Sequence, residues 1–197
     1  MKKISSLVLG LSLLLVACVD TTGLSEKSSR TPQGNPNAAV VVTEFGDLQC
    51  PACRTAYTTI NLPLLQKYGN QIRFDFMHFP LQSIHRYALE AAMASECAAD
   101  QGKFWEFVDV AYVNQTELSK AKLNAWAENL GLDMPLFKRC RASKIKKSTI
   151  LADYEQGLKQ GVAGTPTYFV NGEPTPATLE KLSEKIDAAL KGAIQKL

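Results

Sequence analysis

Cys50 and Cys53 stand three positions apart in FGDLQCPACRTAY, with Pro51 and Ala52 between them. Thiols at that spacing suit three kinds of chemistry: half of a zinc site, a small disulfide staple, or thiol–disulfide exchange. Structural zinc asks for four ligands, commonly as two close pairs. The other candidates are His78, His85, Cys97 and Cys140, and none of them forms a second close pair. A staple closing so short a loop removes little chain entropy and stabilises little. Exchange chemistry needs an acidic first thiol and a second thiol one turn away to resolve the mixed disulfide.

The surrounding pattern supplies that context. AVVVTEF, residues 39–45, is a β-branched apolar run that reads as a buried strand, and Cys50 follows it closely. Ala56, Tyr57, Ile60, Leu64 and Tyr68 recur at helical spacing, and Pro63 should kink or divide that helix. QIRFDFMHFP, residues 71–80, alternates apolar and polar residues as a second strand does. Cys50 therefore opens a helix between two strands, where free N–H groups and the helix dipole favour a thiolate. Cys50 is then the attacking sulfur, and Cys53 attacks the mixed disulfide to release the substrate.

A long helical block follows. HRYALEAAMASECAAD is Ala-rich; Phe104, Phe107, Val108, Ala111 and Tyr112 share one helical face, and Leu123, Trp126, Ala127 and Leu130 share another. Strand character returns in TPTYFVNGE, residues 165–173, where Asn171-Gly172 is a hairpin signal. A last amphipathic helix carries Leu179, Leu182, Ile186 and Ala189.

Strand, CPAC and helix, the segment GVAGTPTYFVNG (161–172), QGKFWEF (101–107) and the helical block together resemble the DsbA-like branch of the thioredoxin superfamily. The resemblance runs over about residues 38–197. It implies an α/β, thioredoxin-like fold with an inserted all-helical subdomain at about 86–160. It also implies that Pro166 is the family's cis-proline beside the active cysteines, leaving the backbone near Thr165 free to pair with an extended substrate. From the residues alone, an ordinary trans proline opening a strand fits as well. Glu44, six residues before Cys50, matches a buried acid that exchanges protons with the resolving thiol; a strand-end glutamate facing solvent is the other reading. One departure concerns Pro51-Ala52. DsbA carries Pro-His there, and alanine cannot stabilise a thiolate, so the expected pair is less acidic and less oxidising. EPTPATLEKL (173–182) leaves little room for a full partner strand, so a shortened sheet edge is expected.

Leu89, Met93 and Cys97 share a helical face, and Leu136, Phe137 and Cys140 share another. Two packed helices would join Cys97 to Cys140 in a structural disulfide; two buried free thiols are the alternative. His78 and His85 carry no assigned role.

MKKISSLVLGLSLLLVA, residues 1–17, has two lysines and then an apolar run too short to span a bilayer, as a secretory signal does. LVAC, residues 15–18, resembles a bacterial lipobox, which implies cleavage before Cys18 and lipidation of its thiol. Simple secretion with cleavage near Ala17 is the alternative. With Cys18 lipidated, an even set of four cysteines remains, as suits an oxidising compartment. Residues 18–37 are polar and read as a lipid-anchored flexible tether. A formal charge of +3, with neither basic stripe nor acidic tail, gives no sign of a nucleic-acid partner.

These observations describe an exported thiol:disulfide oxidoreductase, held at the periplasmic or cell-surface side of a membrane as a lipoprotein. It acts on cysteine-containing polypeptides, most simply as a disulfide oxidase. An isomerase or reductase of the same fold, or a low-turnover peptide-binding module, remains the alternative. No metal or organic cofactor is expected beyond the Cys50–Cys53 couple. The resemblance implies a membrane redox partner, in relatives often quinone-linked.

Overall fold

The computed structural model describes residues 20–194. The expected signal peptide, Cys18 with its expected lipidation, and Val19 lie outside the described residues. Five strands form one sheet: β1 (Gln33–Gly34), β2 (Val40–Gly46), β3 (Ile72–His78), β4 (Thr167–Val170) and β5 (Glu173–Thr175). Their order is β1-β3-β2-β4-β5, with β2 and β3 parallel and the other pairs antiparallel. Strand side chains alternate between faces, so Val40, Val42 and Glu44 share one face and Phe45 lies on the other. Ile60, Leu64, Tyr168, Leu182 and Ile186 pack with Val40 and Val42, whereas Phe45 packs with Phe79, Val162 and Phe169.

The crossover from β2 to β3 is one long helical passage. It runs through α1 (Pro51–Ala56), a π-helical turn (Tyr57–Asn61) and α2 (Leu62–Tyr68). Pro63 has no N–H to continue the ladder. Just before it, the Leu62 N–H reaches back to the Tyr57 carbonyl, one residue further than in an α-helix. The wide turn brings both Ile60 and Asn61 into the core.

Between β3 and β4 come α3 (Ala88–Ala99), α4 (Phe104–Val113), a 3-10 turn (Gln115–Glu117), α5 (Lys120–Asn129), α6 (Met134–Ser143) and α7 (Lys147–Lys159). The sequence marks their ends. Ser119 Oγ accepts from Lys122 N to cap α5, and Asp133 Oδ1 accepts from Leu136 N to cap α6. Phe107, Leu123, Trp126 and Phe137 fill the core of this subdomain. Cys97 on α3 and Cys140 on α6 are joined in a disulfide. Closing a loop of 43 residues contributes roughly 4 kcal/mol in the chain-entropy picture.

β4 and β5 are joined by Asn171 and Gly172 at φ 49° and 80°, the left-handed pair that a two-residue type I′ turn needs. β5 holds three residues before α8 (Leu179–Ile194) begins, a short sheet edge.

The N-terminal segment departs from expectation. Residues 18–37 read as a flexible tether, yet the described part, 20–37, is strapped to the domain. β1 pairs with β3, Trp105 Nε1 donates to Thr31 O at 2.8 Å, and Leu24 packs against the subdomain core. The Arg30 guanidinium bridges Glu96 at 2.6 Å and Asp153 at 2.7 Å. Fully buried Lys146 donates to Lys27 O at 2.8 Å and to Asp100 Oδ1 at 2.6 Å. The physical reason is satisfaction of buried polar groups. The segment is polar because it completes hydrogen bonds of α3 and α7, and that need is not visible in its own composition.

Candidate active site

Cys50 is the N-cap of α1, with Pro51 at the first helical position, where its missing N–H costs nothing. Ala52 is exposed at the next position. Cys50 is 6 % exposed and Cys53, one turn on, is fully buried; both are free thiols. The chain reaches Cys50 through a loop held at several points. Cys50 N donates to Asp47 O at 3.0 Å. Asp47 Oδ1 accepts from Gln49 N at 2.8 Å. Asp47 Oδ2 accepts from Leu81 N at 2.9 Å and pairs with His85 Nδ1 at 2.7 Å.

The helical subdomain grips the same loop. Gln115 Nε2 donates to Leu48 O and to Cys50 O, both at 3.0 Å, and Gln49 Oε1 accepts from Tyr87 N at 2.6 Å. An insertion remote in sequence thus fixes the backbone of the first cysteine.

Across from the thiols lies Thr165-Pro166, joined by a cis peptide bond. The Cys50 thiol donates to Thr165 O at 3.4 Å. Thr165 Oγ1 is buried with no other partner, free to donate to a sulfur that has lost its proton. The hydrogen bond from the Cys53 thiol is the main cause that lowers Cys50 to a pKa of about 5; burial opposes it, and the Thr165 hydroxyl adds to it. Cys53 moves the other way. Burial pushes its thiol up, and the hydrogen bond it gives to Cys50 and the nearby Glu44 charge push it further. The two sulfurs are therefore split into one thiolate and one thiol.

Glu44 lies beneath them, fully buried, on the core-facing side of β2. Burial raises its carboxyl to a pKa of about 8, against hydrogen bonds that favour the charged form. Asn61 Nδ2 donates to Glu44 Oε2 at 2.7 Å, and the Tyr168 hydroxyl donates to Asn61 Oδ1 at 2.6 Å. Glu44 Oε1 has no partner. A carboxyl that carries its proton near neutral pH beside a buried thiol can give or take that proton during exchange. Gly46, on the same strand, leaves room for the Phe76 ring, which a Cβ would meet at 2.5 Å.

The structure thus gathers Glu44, Cys50, Pro51, Ala52, Cys53, Thr165 and Pro166 at one end of the sheet. The Cys97–Cys140 disulfide lies apart, within the subdomain core. Asp47, Asn61, Gln115 and Tyr168 were not singled out by sequence, and His85 was given no role. Asn61 had a signal: it is a polar residue on the apolar stripe that runs from Tyr57 to Tyr68. Gln115 had none, since its partners lie 65 and 67 positions away. Among the described residues, no group of three or more His, Cys, Asp or Glu is placed to hold a metal ion. Nor is any described helix long and apolar enough to cross a membrane.

A thioredoxin family model matches residues 26–188, most of the chain. The chain belongs to the thioredoxin family. The relative described as probable disulfide bond formation protein D of Bacillus anthracis is 31% identical over 173 residues, covering 83% of this chain and 80% of that protein. The Na(+)/H(+) antiporter NhaA 1 of Salinispora arenicola is 38% identical over 162 residues, 81% of this chain but 24% of the antiporter. The chain thus spans about a quarter of the length of such antiporters. Among solved structures, oxidised BdbD from Bacillus subtilis shares the fold with a TM-score of 0.73 and 23% identity, over 83% of this chain and 94% of that one. Wolbachia pipientis α-DsbA1 does so with a TM-score of 0.73 and 22% identity, over 84% and 93%.

Proposed function

We propose that the protein is an extracytoplasmic disulfide oxidase acting through its CPAC site on exported, cysteine-containing polypeptides. The observation that carries this reading is the split pair: Cys50 lowered to about 5 at a helix N-terminus, Cys53 buried as a thiol behind it. In the oxidised protein, a substrate thiolate attacks the Cys50 sulfur. The Cys50–Cys53 bond breaks, a mixed disulfide forms, and Cys53 leaves as a thiolate that takes a proton, for which neutral Glu44 is the donor. A second substrate thiolate then attacks the substrate sulfur of the mixed disulfide. Cys50 departs as a stabilised thiolate, and the substrate keeps the new disulfide. Two electrons now rest on the Cys50–Cys53 pair and pass to a membrane redox partner. The pair itself is the redox centre, with no metal or organic cofactor.

A low pKa at Cys50 stabilises the reduced form, which supports the oxidase direction over an isomerase or reductase. The apolar leader, Cys18 in LVAC and the Cys97–Cys140 disulfide support export and anchoring of the mature domain as a lipoprotein.

Equilibration of the pair with glutathione tests the direction. A potential near −120 mV supports a disulfide donor, and one near −270 mV replaces it with a reductant. In Cys53→Ala the lone Cys50 thiolate can attack a substrate disulfide, displacing one substrate thiolate, but no Cys53 is there to resolve the product, so mixed disulfides through Cys50 should accumulate with disulfide-bonded, unfolded protein. Absence of trapped species, with partner binding retained, would leave a peptide-binding module instead.

A further inference from the structure

We propose that the α5–α6 face of the helical subdomain docks on anionic lipid headgroups and sets the orientation of the domain at the membrane. The proposal deepens, and rests on, the reading that Cys18 carries the lipid anchor.

Charge is unevenly spread along the chain. Residues 120–147 hold eight basic residues against two acids, while the whole chain carries only +3, so the remainder is net acidic. Lys120, Lys138, Arg141 and Lys144 line one open concavity of about 340 Å³, where Glu90 is the one acid. Some of this charge is already used. Arg141 lies 3.5 Å from Glu90 and donates to Asn124 Oδ1 at 2.5 Å, Lys120 lies 3.8 Å from Glu90, and Lys146 is buried on Asp100. Lys138, Lys144 and Lys147 are exposed, and no salt bridge among the described residues engages them.

The path of the chain says which polyanion this face meets. Asp20 Oδ2 pairs with Arg139 Nη1 on α6 at 2.7 Å. That exposed pair is weak by itself, but the strap behind it is fixed by Leu24 in the subdomain core and by Lys27 O on Lys146. Cys18 precedes Asp20 by two residues, a reach of about 7 Å in the most extended chain. A lipid on Cys18 therefore brings the bilayer against α6, not to an arbitrary side of the domain. One anchor signal reinforced by a basic patch is a combination that holds proteins stably at anionic membranes.

The test uses the full chain as produced by the cell. Intact mass first reports whether Cys18 carries diacylglycerol, which decides the anchor reading alone. The protein is then mixed with vesicles of phosphatidylcholine, with or without phosphatidylglycerol, and amide exchange is followed. Slowed exchange in 134–147 on the anionic vesicles only is the expected result. Lys138→Glu, Lys144→Glu and Lys147→Glu together should lower partition onto those vesicles by about tenfold or more, while reversal of Lys67, Lys159 and Lys191 should leave it unchanged. Equal exchange on both vesicle types, or equal loss with either triple variant, overturns the proposal. If Cys18 is unlipidated, the anchor reading fails separately. The same chain must then still bind the anionic vesicles in a salt-sensitive way through these lysines, or the docking face falls too.

Discussion

Asn61 Nδ2 donates to Glu44 Oε2 at 2.7 Å in a part of the core closed to solvent. The Tyr168 hydroxyl fixes the amide by donating to its oxygen, so the hydrogen bond from Asn61 always falls on the same carboxylate oxygen. The proton of the neutral acid is thereby left to Oε1, which has no partner. One hydrogen bond from an amide does not repay the loss of water around a carboxylate, and the acid stays protonated up to a pKa of about 8.

That raised value sets a pH dependence with a definite sign. In the unfolded chain Glu44 ionises near its ordinary value of 4.5, and in the fold near 8. Between those values the folded state holds a proton that the unfolded state has lost, so the contribution of Glu44 to stability declines as pH rises. Below the lower value no penalty remains. Glu44→Gln keeps the acceptor for Asn61 and removes the titration. The variant should gain about 3 kcal/mol over the parent at pH 7 and little at pH 4. Cys50 titrates over part of the same range but is present in both proteins, so the difference isolates Glu44. Urea unfolding of the reduced proteins at several pH values measures it; a difference independent of pH would remove the buried-acid account.

The Cys50 thiolate should titrate with a midpoint near 5 in the reduced protein, followed by thiolate absorbance in the ultraviolet. Because the Cys53 thiol is the largest stabiliser of that charge, Cys53→Ala should move the midpoint upward. Thr165→Val should move it up by less. An unshifted midpoint in Cys53→Ala would mean that the helix terminus alone holds the thiolate. The ordering also bears on Ala52. A midpoint near 5 stands above the value of about 3.5 known for DsbA, in the direction expected where no histidine supports the thiolate.

Much of this was legible in the chain, for identifiable reasons. The alternation of β2 puts Glu44 in line with Val40 and Val42, and a parity of two needs no tertiary information. Pro63 announces an interruption because it lacks an N–H, and Asn171-Gly172 announces a turn because both residues tolerate positive φ. Cys97 and Cys140 each fall on an apolar helical face. What stayed hidden depends on contacts distant in sequence. β1 is two residues long and exists through its pairing with Phe74 and Arg73. His85 looks like any helix-opening histidine until Asp47 is found 2.7 Å away. The strap seemed a linker because its partners Glu96, Asp100, Lys146 and Asp153 belong to other elements.

Gln115 offers a test of how far the subdomain governs the cysteines. Its amide supports both Leu48 O and Cys50 O from a buried position. Gln115→Leu leaves those carbonyls without that donor and should cost about 1–3 kcal/mol. It should also slow the reaction of Cys50 with a model disulfide, while Gln115→Glu, which has no amide N–H when ionised, should not rescue the rate. Thermal unfolding and stopped-flow thiol exchange read the two effects. Loss of stability with an unaltered exchange rate would confine Gln115 to a packing role.

The strap gives the sharpest contrast with the linker expectation. If residues 20–37 were a solvated tether, Arg30→Ala would change stability by no more than a surface substitution does, within about 0.5 kcal/mol. In the structure, Arg30 lies between two carboxylates, Glu96 fully buried and Asp153 nearly so. Burial opposes ionisation of Glu96, yet the hydrogen bond and charge of His78, with the charge of Arg30, hold its pKa down to about 2. Removing the guanidinium takes the cation from both acids, leaving Asp153 with the His78 backbone N–H at 3.0 Å and Glu96 facing the His78 ring at 3.2 Å. The expected cost is about 3–5 kcal/mol. Arg30→Lys should recover part of it, because one ammonium cannot reach both carboxylates with the geometry of the planar fork. Urea unfolding of the two variants separates the accounts, and a parent-like midpoint for Arg30→Ala would return this segment to the status of a linker.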